Sequence, residues 1–457
     1  MIKKNMEILG TVVAIAVFLG AVSSIGHAKE RKNSACRLAR AEICEQVGLD
    51  EGFDEGFNGG LNEGLNEGHF SDICYSNSEK LHSMSNDESV RVAGNAQVSL
   101  FPCAKSAYVM ENQSKIPVFE KEALKRLPIA SMCKIMTLLL AFEGVEQGIL
   151  QKDELITVSE NAASMGGSQV FLEAHAAYPF TELIKSIVVC SANDSCVAIA
   201  ERISGNTDIF VEKMNTRAKE LGCENTLFAN CTVLPQEPQY SCARDVALMM
   251  SELLKHEEYF DYAKTWMDTF QHPQGRTTEI TNTNRLVRFY DGCDGGKTGF
   301  TNEAGFCLAA TAKRGNMRLI SVVIGEKDSK TRFKEISESF DYTFANYTMQ
   351  TVVDANLPCE DALAVCGGKI KSVAVKPQRE GVIFAKRGEQ VKVDTQVCLN
   401  EIVKAPIRQG DVVGEIRLFR EGVEFDRIPV VACENVERAN YWDSVMDVAR
   451  DWSFAGK

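Results

Sequence analysis

The sequence predicts an α+β fold, one antiparallel sheet whose first and last strands pair and which carries a helical lobe, followed by a small all-β domain. Three observations lead there. Short strand patterns bracket the first part of the chain, at residues 106–110 and 118–120 near its start and at 306–312 and 318–324 near its end. Between them apolar residues recur at helical spacing, as in Leu183-Ile184 with Ile187-Val188, and across residues 210–221 and 243–256. From about residue 351 to 432 the pattern becomes short strands, at 372–375, 381–385, 391–394, 411–419 and 423–431.

Taken in order, the 457 residues begin with a segment that reads as an export signal. Lys3 and Lys4 precede an uncharged stretch over residues 8–22, and Gly26-His27-Ala28 offers a small-residue cleavage site. Retention of residues 1–28 as a membrane anchor is the competing reading, and the short apolar core favours cleavage. Residues 29–97 show little core-forming pattern. Within them a four-residue acidic repeat runs from Asp50-Glu51-Gly52-Phe53 to Leu65-Asn66-Glu67-Gly68. It matches neither the EF-hand nor the nonapeptide calcium pattern, and it reads as a flexible acidic linker.

The first domain is expected over residues 98–350. Two strands around a polar turn lead into a buried helix opening near Pro128, then come further amphipathic helices, a hairpin turning at Gly315-Asn316 and a closing helix over 333–347. The β-rich domain is expected over 351–435. A short helical tail follows over 436–457, in which Trp442, Val445, Ala449 and Trp452 share a face.

Composition narrows the function. A formal net charge of −13 argues against nucleic acid or anionic lipid as a long-range partner. The 16 cysteines are scattered and include no C-x-x-C pair, so a zinc site is not indicated. In a chain this large most thiols are expected to be free.

The chemistry concentrates in the apolar run Pro128-Ile129-Ala130-Ser131-Met132-Cys133-Lys134-Ile135-Met136, where Ser131 and Lys134 stand three residues apart and share a helix face. An amine held in apolar surroundings gives up its proton more readily than one in water, so a serine beside it becomes an activated nucleophile. The bland alternative is a capping serine followed by a lysine that reaches for solvent. Two further motifs outweigh it: Ser191-Ala192-Asn193, and Lys297-Thr298-Gly299 after Asp294-Gly295-Gly296. Each alone is a common turn or loop. In this order they form the set found in penicillin-binding proteins and class A β-lactamases.

Residues 107–347 resemble the serine-type D-alanyl-D-alanine carboxypeptidases, low-molecular-weight penicillin-binding proteins that bacteria export to trim peptidoglycan. The stretches that carry the resemblance are Pro128-Ile129-Ala130-Ser131-Met132, Gly166-Gly167-Ser168-Gln169-Val170-Phe171-Leu172-Glu173, Asp294-Gly295-Gly296-Lys297-Thr298-Gly299-Phe300-Thr301 and Ala304-Gly305-Phe306-Cys307-Leu308-Ala309-Ala310. The acidic insert before the first strand departs from the family pattern. The resemblance implies a β-lactamase/penicillin-binding-protein-like domain, an antiparallel sheet with helices on both faces plus a helical lobe. It implies Ser131 as nucleophile, Lys134 as general base, Ser191 as proton relay and Asn193 as a hydrogen-bonding partner of Lys134 and substrate. Lys297, Thr298 and Gly299 would seat the substrate carboxylate and backbone, and the amides of Ser131 and Phe300 would form the oxyanion hole. Arg285 and Arg332 lie where relatives carry arginines near that carboxylate. No metal or organic cofactor is implied. The implied partners are the peptidoglycan stem peptide and, as inhibitors, β-lactams, and the implied location is extracytoplasmic.

Three rival functions are weighed. A phosphate-binding loop ending at Gly296-Lys297-Thr298 requires glycine five residues before Gly296, where Asp291 stands. A β-lactamase adds a deacylating glutamate in an E-x-x-L-N pattern, and Glu224-Asn225-Thr226-Leu227-Phe228 lacks the final asparagine. A non-catalytic wall-binding or β-lactam-sensing protein does not need the full set of Ser131, Lys134, Ser191, Asn193 and Lys297. Related enzymes often end in an amphipathic helix lying on the membrane. Here Asp443, Asp447 and Asp451 weigh against that contact, and packing against the β-domain is the alternative.

Overall fold

The computed structural model describes residues 100–232, 238–359, 362–400, 402–443 and 445–446. The predicted signal and acidic linker, and most of the tail helix, lie outside the described residues.

Strands β1 (Ser106–Glu111) and β2 (Pro117–Lys121) open the sheet, and two small hairpins sit in the lobe, β3 (Leu155–Thr157) with β4 (Ala177–Pro179) and β5 (Met267–Gln271) with β6 (Thr277–Thr281). Strands β7 (Cys293–Thr301), β8 (Gly305–Arg314) and β9 (Met317–Glu326) complete an antiparallel sheet ordered β2-β1-β9-β8-β7. The first strand pairs with the last one formed, Tyr108 opposite Val322, as the strand patterns at both ends predict. Both faces of the sheet are buried, which explains why its strands read as near-continuous apolar runs. Tyr108 and Met110 of β1 and Ile320, Val322 and Ile324 of β9 face the core of the helical lobe. Their neighbours Ala107, Val109, Leu319 and Val323 face a second core with Ile336 and Phe340. Each fully buried aliphatic side chain here is worth roughly 1.5–3 kcal/mol relative to exposure. The β8–β9 turn falls at Gly315-Asn316, with glycine first at φ 61°, the conformation that a type II′ hairpin turn demands.

The helices are α1 (Lys134–Glu146), α2 (Glu160–Ala163), α3 (Phe180–Cys190), α4 (Asn193–Ser204), α5 (Thr207–Glu220), α6 (Ala243–Leu253), α7 (Tyr259–Ala263), α8 (Leu286–Phe289) and α9 (Ser329–Asn346). Helix α9 begins earlier than its apolar pattern does, because the Asp328 carboxylate accepts a hydrogen bond from the Thr331 amide at 2.7 Å and caps the first turn. The helix expected to open near Pro128 starts later. A 3-10 turn over Ala130–Cys133 precedes α1, and Ala130 sits at φ 48°.

After α9 the chain forms β10 (Tyr347–Val353), β11 (Leu363–Cys366), β12 (Ser372–Val373), β13 (Val375–Pro377), β14 (Gly381–Lys386), β15 (Asp394–Leu399), β16 (Val403–Lys404), β17 (Val412–Arg420) and β18 (Val423–Ala432). Their largest sheet is ordered β13-β18-β17-β15 over a core that includes Val375, Ile416, Leu418, Ile428 and Val430. The strand expected at 391–394 lies instead at Asp394–Leu399. It is an edge strand, largely exposed, and so lacks the alternation that would reveal it. Strand β10 runs through residue 350, where the sequence places a boundary, and pairs with β14. Tyr347 stacks on Phe384 at 5.0 Å, and Met349 and Phe384 join the core beneath α9.

Candidate active site

Ser131 is half-buried in the 3-10 turn before α1, and the next residues, Met132, Cys133 and Lys134, are buried outright. The left-handed Ala130 swings the chain so that this turn enters the lobe core with Ser131 at its rim. Lys134, the first residue of α1, has no solvent exposure. Its Nζ donates to the Ser191 carbonyl at 2.5 Å, meets the Ser191 hydroxyl at 3.1 Å and donates to Asn193 Oδ1. Among the described residues the Ser131 hydroxyl makes no hydrogen bond, so Lys134 is held by the α3–α4 junction rather than by the serine one turn earlier.

That junction depends on one strained residue. Ser191 ends α3 in the left-handed region, φ 66° and ψ 36°, and reverses the chain into α4 within two residues. The reversal turns both its carbonyl and its hydroxyl towards Lys134. A serine there costs on the order of 1 kcal/mol, offset by the buried hydrogen bonds it permits. Asn193 is fixed from the other side: Nδ2 donates to the Gly166 carbonyl at 2.7 Å, and the Asn193 amide donates to the Ser168 carbonyl at 2.7 Å. A Cβ on Gly167, whose φ is +79°, would stand 2.8 Å from Asn193 Nδ2, which explains the Gly166-Gly167 pair. Buried Asp194 anchors the same loop by accepting from the amides of Val170 and Leu172, each at 3.1 Å, and burial pushes its carboxyl above the usual carboxylate range.

Strand β7 closes the site opposite α1. Gly299 passes so near the Ser131 turn that a Cβ there would lie 2.8 Å from the Ile129 carbonyl oxygen and 3.2 Å from the Ser131 amide nitrogen. The backbone of β7 and the Ser131 N–H are thus side by side. Lys297 is buried on this strand, with Nζ donating to the Thr298 carbonyl at 3.2 Å. Burial first, then the charge of Lys134, pushes the Lys297 amine down to about 7. The Thr298 hydroxyl donates to Thr283 at 2.8 Å. Phe300 is exposed, its ring 4.3 Å from that of Phe306.

The two arginines differ. Arg332 is buried, and its Nη1 donates to the carbonyls of Gly299 at 3.0 Å and Cys307 at 3.1 Å, bracing the β7–β8 hairpin beside Thr298. Burial, and behind it the charge of Arg285, pushes its guanidinium down to about 10. Arg285 is exposed at the start of α8 and close enough for that repulsion to be felt. The thiols of Cys133, Cys190 and Cys196 are pushed up by burial to about 11, 11 and 12, so they pack as small apolar groups. Glu224, the nearest match to a deacylating glutamate, is exposed. Asn225 and Thr226 beside it are tied to Asp245.

Sequence reasoning misses four supporting residues. Thr283 receives the Thr298 hydroxyl. Tyr259 Oη accepts from the Gly296 amide at 3.0 Å, and Asn284 Nδ2 donates to the Gly295 carbonyl at 3.1 Å, together fixing β7 from behind. Gly167 is quoted in the motif but not recognised as the seat of Asn193. Of these Thr283 and Asn284 carry a local signal, standing just before Arg285.

Residues 95–328 match the family model described as D-alanyl-D-alanine carboxypeptidase, and residues 347–438 match one described as penicillin-binding protein 5, C-terminal domain. The D-alanyl-D-alanine carboxypeptidase DacF of Bacillus subtilis is 38% identical over 351 residues, which is 77% of this chain and 90% of the relative. DacC of Escherichia coli, another D-alanyl-D-alanine carboxypeptidase, is 30% identical over 361 residues, 76% of this chain and 89% of the relative. The crystal structure of penicillin binding protein 5 from Haemophilus influenzae, 27% identical, covers 76% of this chain and 100% of its own with a TM-score of 0.58. The motifs around Ser131, the sheet that carries Lys297 and the full span of these relatives agree, and the chain belongs to the D-alanyl-D-alanine carboxypeptidase family.

Proposed function

We propose that Ser131 is the nucleophile with which this D-alanyl-D-alanine carboxypeptidase removes the terminal D-alanine from peptidoglycan stem pentapeptides, and that penicillin acylates the same oxygen. One observation carries the reading: buried Lys134, one turn from Ser131, is held by Ser191 and Asn193 while the Gly299 backbone lies against the Ser131 amide. Lys134 Nζ, held by the Ser191 carbonyl and Asn193 Oδ1 one turn from Ser131, is the general base. It takes the Ser131 proton as Oγ attacks the carbonyl carbon of the penultimate residue. The amides of Ser131 and Phe300 receive the oxyanion, a contribution of about 3–4 kcal/mol for each such donor. The C–N bond then breaks, and the leaving amine collects the proton from Lys134 by way of the Ser191 hydroxyl. Water, deprotonated by Lys134, hydrolyses the ester and frees Ser131. Lys297, Thr298, Arg332 and Arg285 form the carboxylate-binding end, where an incoming anion restores the Lys297 ammonium that burial disfavours.

The exposed position of Glu224 favours carboxypeptidase over β-lactamase, because it leaves the acyl-enzyme without a glutamate to activate water. The complete serine, lysine and asparagine constellation favours an enzyme over a wall-binding or β-lactam-sensing protein. Mass spectrometry after penicillin treatment should locate the adduct on Ser131. D-Alanine release from a muramyl pentapeptide should vanish in Ser131→Ala. Rapid penicillin turnover by the pure protein, or an adduct elsewhere, overturns the assignment.

The substrate lies outside the cytoplasmic membrane, so we read residues 1–28 as the export signal and residues 29–97 as a linker. Among the described residues no helix is long and apolar enough to cross a membrane. For the tail we favour peripheral contact with the membrane, because Tyr441, Trp442 and Met446 are exposed rather than packed on the β-domain. Lipid flotation with and without the residues after Arg438 tests it. Flotation that is unchanged by the truncation refutes it.

A further inference from the structure

Away from the candidate active site, three ligand-type side chains converge at the end of the sheet. Cys103 lies in the segment that enters β1, Glu326 is the last residue of β9 and Glu335 sits in the second turn of α9. One thiol sulfur and one oxygen from each carboxylate all lie within 4.8 Å of one another. The two carboxylates are almost wholly buried, Glu326 at 1% and Glu335 at 4% exposure. Among the described residues neither Glu326 oxygen nor Glu335 Oε2 has a partner in good hydrogen-bond geometry, although the Glu335 carboxyl and the Lys327 amide both bear on Glu326, and Glu335 Oε1 accepts the Cys103 amide at 3.3 Å. Lys121, the cation that acts on Glu326, is committed to the carbonyls of Phe101 and Pro102. Buried carboxylates aimed at each other with so few donors are among the costliest arrangements a fold can hold, and they are relieved either by a proton or by a cation.

We propose that Cys103, Glu326 and Glu335 bind a divalent transition metal of the zinc type, with the exposed side of Cys103 leaving a fourth position to water. A thiolate with two carboxylates suits a borderline-soft ion and disfavours magnesium or calcium, which prefer all-oxygen sites. Tetrahedral coordination at ordinary Zn–S and Zn–O lengths sets ligand atoms roughly 3.5 Å apart, well inside the observed cluster. The ion has a structural consequence. Glu335 lies one turn after Arg332 on α9, and Glu326 pairs across the sheet with Phe306, which packs on Phe300. A metal here ties the entering segment, the sheet end and α9 together behind the β7–β8 hairpin. The ligands stand at 103, 326 and 335, too far apart in sequence for any spacing to reveal them.

The test uses the full chain, stripped with a chelator, and the metal ions alone. Wild type should retain one equivalent of Zn²⁺ more than Cys103→Ser or Glu326→Gln. Co²⁺ should give a thiolate-to-metal charge-transfer band in wild type and in neither variant, which separates this site from the other thiols. At 100-fold excess over Kd, Zn²⁺ should raise the Tm of wild type by on the order of 5–10 °C and leave Glu326→Gln unmoved. Cys103→Ser alters an exposed side chain by one atom and keeps the test readable if Glu326→Gln fails to fold. Equal metal binding by wild type and Cys103→Ser, or no charge-transfer band in wild type, overturns the proposal. So does a Glu326→Gln protein that gains stability while wild type ignores Zn²⁺, which would mean that the carboxylates share a proton.

Discussion

Replacing Lys297 by methionine should make the protein more stable and inactive. The side chain is fully buried, and its amine titrates at about 7 in the folded chain against 10.5 ordinarily. Its cause is chiefly burial, with the charge of Lys134 second. The folded value is depressed, so between about pH 7 and 10.5 the unfolded chain binds more protons than the folded one, and stability rises with pH across that window. At about 1.4 kcal/mol per pH unit, the amine opposes folding by about 4 kcal/mol at pH 7. Between about pH 6 and 8.5 the wild type should regain about 2 kcal/mol relative to Lys297→Met. The buried thiols, raised in the fold, begin to lower stability above about pH 7.5, but they do so in both proteins and cancel in that difference. Methionine fills a similar volume without a charge, so Lys297→Met should gain roughly 2–4 kcal/mol at pH 7, or about 5–10 °C in Tm, after imperfect packing is allowed for. Urea denaturation at the two pH values measures both quantities, and D-alanine release should be lost. A Lys297→Met protein less stable than wild type at pH 7, with the same pH slope, refutes the reasoning. The lysine would then be paired in a way the geometry does not show.

Other expectations are more local. Gly299→Ala puts a Cβ against the Ile129 carbonyl and the Ser131 amide, so kcat/KM should fall by about 10²-fold with the circular dichroism unchanged, and wild-type activity would remove the argument for close approach. Arg332→Gln leaves the Gly299 and Cys307 carbonyls short of a donor, so stability should drop by about 1–3 kcal/mol in a denaturant titration and KM should rise more than kcat falls. In the native protein the seven buried thiols, Cys133, Cys196, Cys223, Cys231, Cys242, Cys293 and Cys307, should stay silent to a titrating reagent and react only after denaturation. Paired cysteines in the denatured titration would contradict this. Ser191→Gly should keep the left-handed backbone and lose only the hydroxyl relay, so acylation by penicillin should slow while Tm holds within about a degree.

The sheet and the lobe were legible because both are written in apolar periodicity. Strands β1, β8 and β9 are buried on both faces, and the helices bury one face each, so the pattern survives in the residues themselves. What was not legible lacked that contrast. Hairpins β3–β4 and β5–β6 are short and partly exposed, β15 is an edge, and β10 announces itself only by pairing with β14 thirty residues on. The site divides in the same way. Residue types at Ser131, Lys134, Ser191, Asn193 and Lys297 are chemical signals and can be read in order, whereas Tyr259, Asn284 and Thr283 act through contacts that only the folded chain creates.

The expected Ser131–Lys134 contact shows where motif reading stops. Helical spacing places the two on one face, yet the turn that contains Ser131 is 3-10, not α, and is entered through a left-handed Ala130. That entry is set by neighbours remote in sequence: β7 presses Gly299 against Ile129 and Ala130, and the Cys133 thiol meets the Thr232 carbonyl. Lys134 meanwhile is aimed by Ser191, itself left-handed because α3 must reverse into α4. Two strained residues, Ala130 and Ser191, therefore set the site: Ala130 shapes the turn that holds Ser131, and Ser191 fixes where the Lys134 amine is held. The cores on either side of the sheet bury enough apolar surface to hold both conformations, each costing on the order of 1–3 kcal/mol. The proposed catalytic pair thus depends on how α1, the α3–α4 junction and β7 are pressed together, and loosening any one of them should disarm the other two.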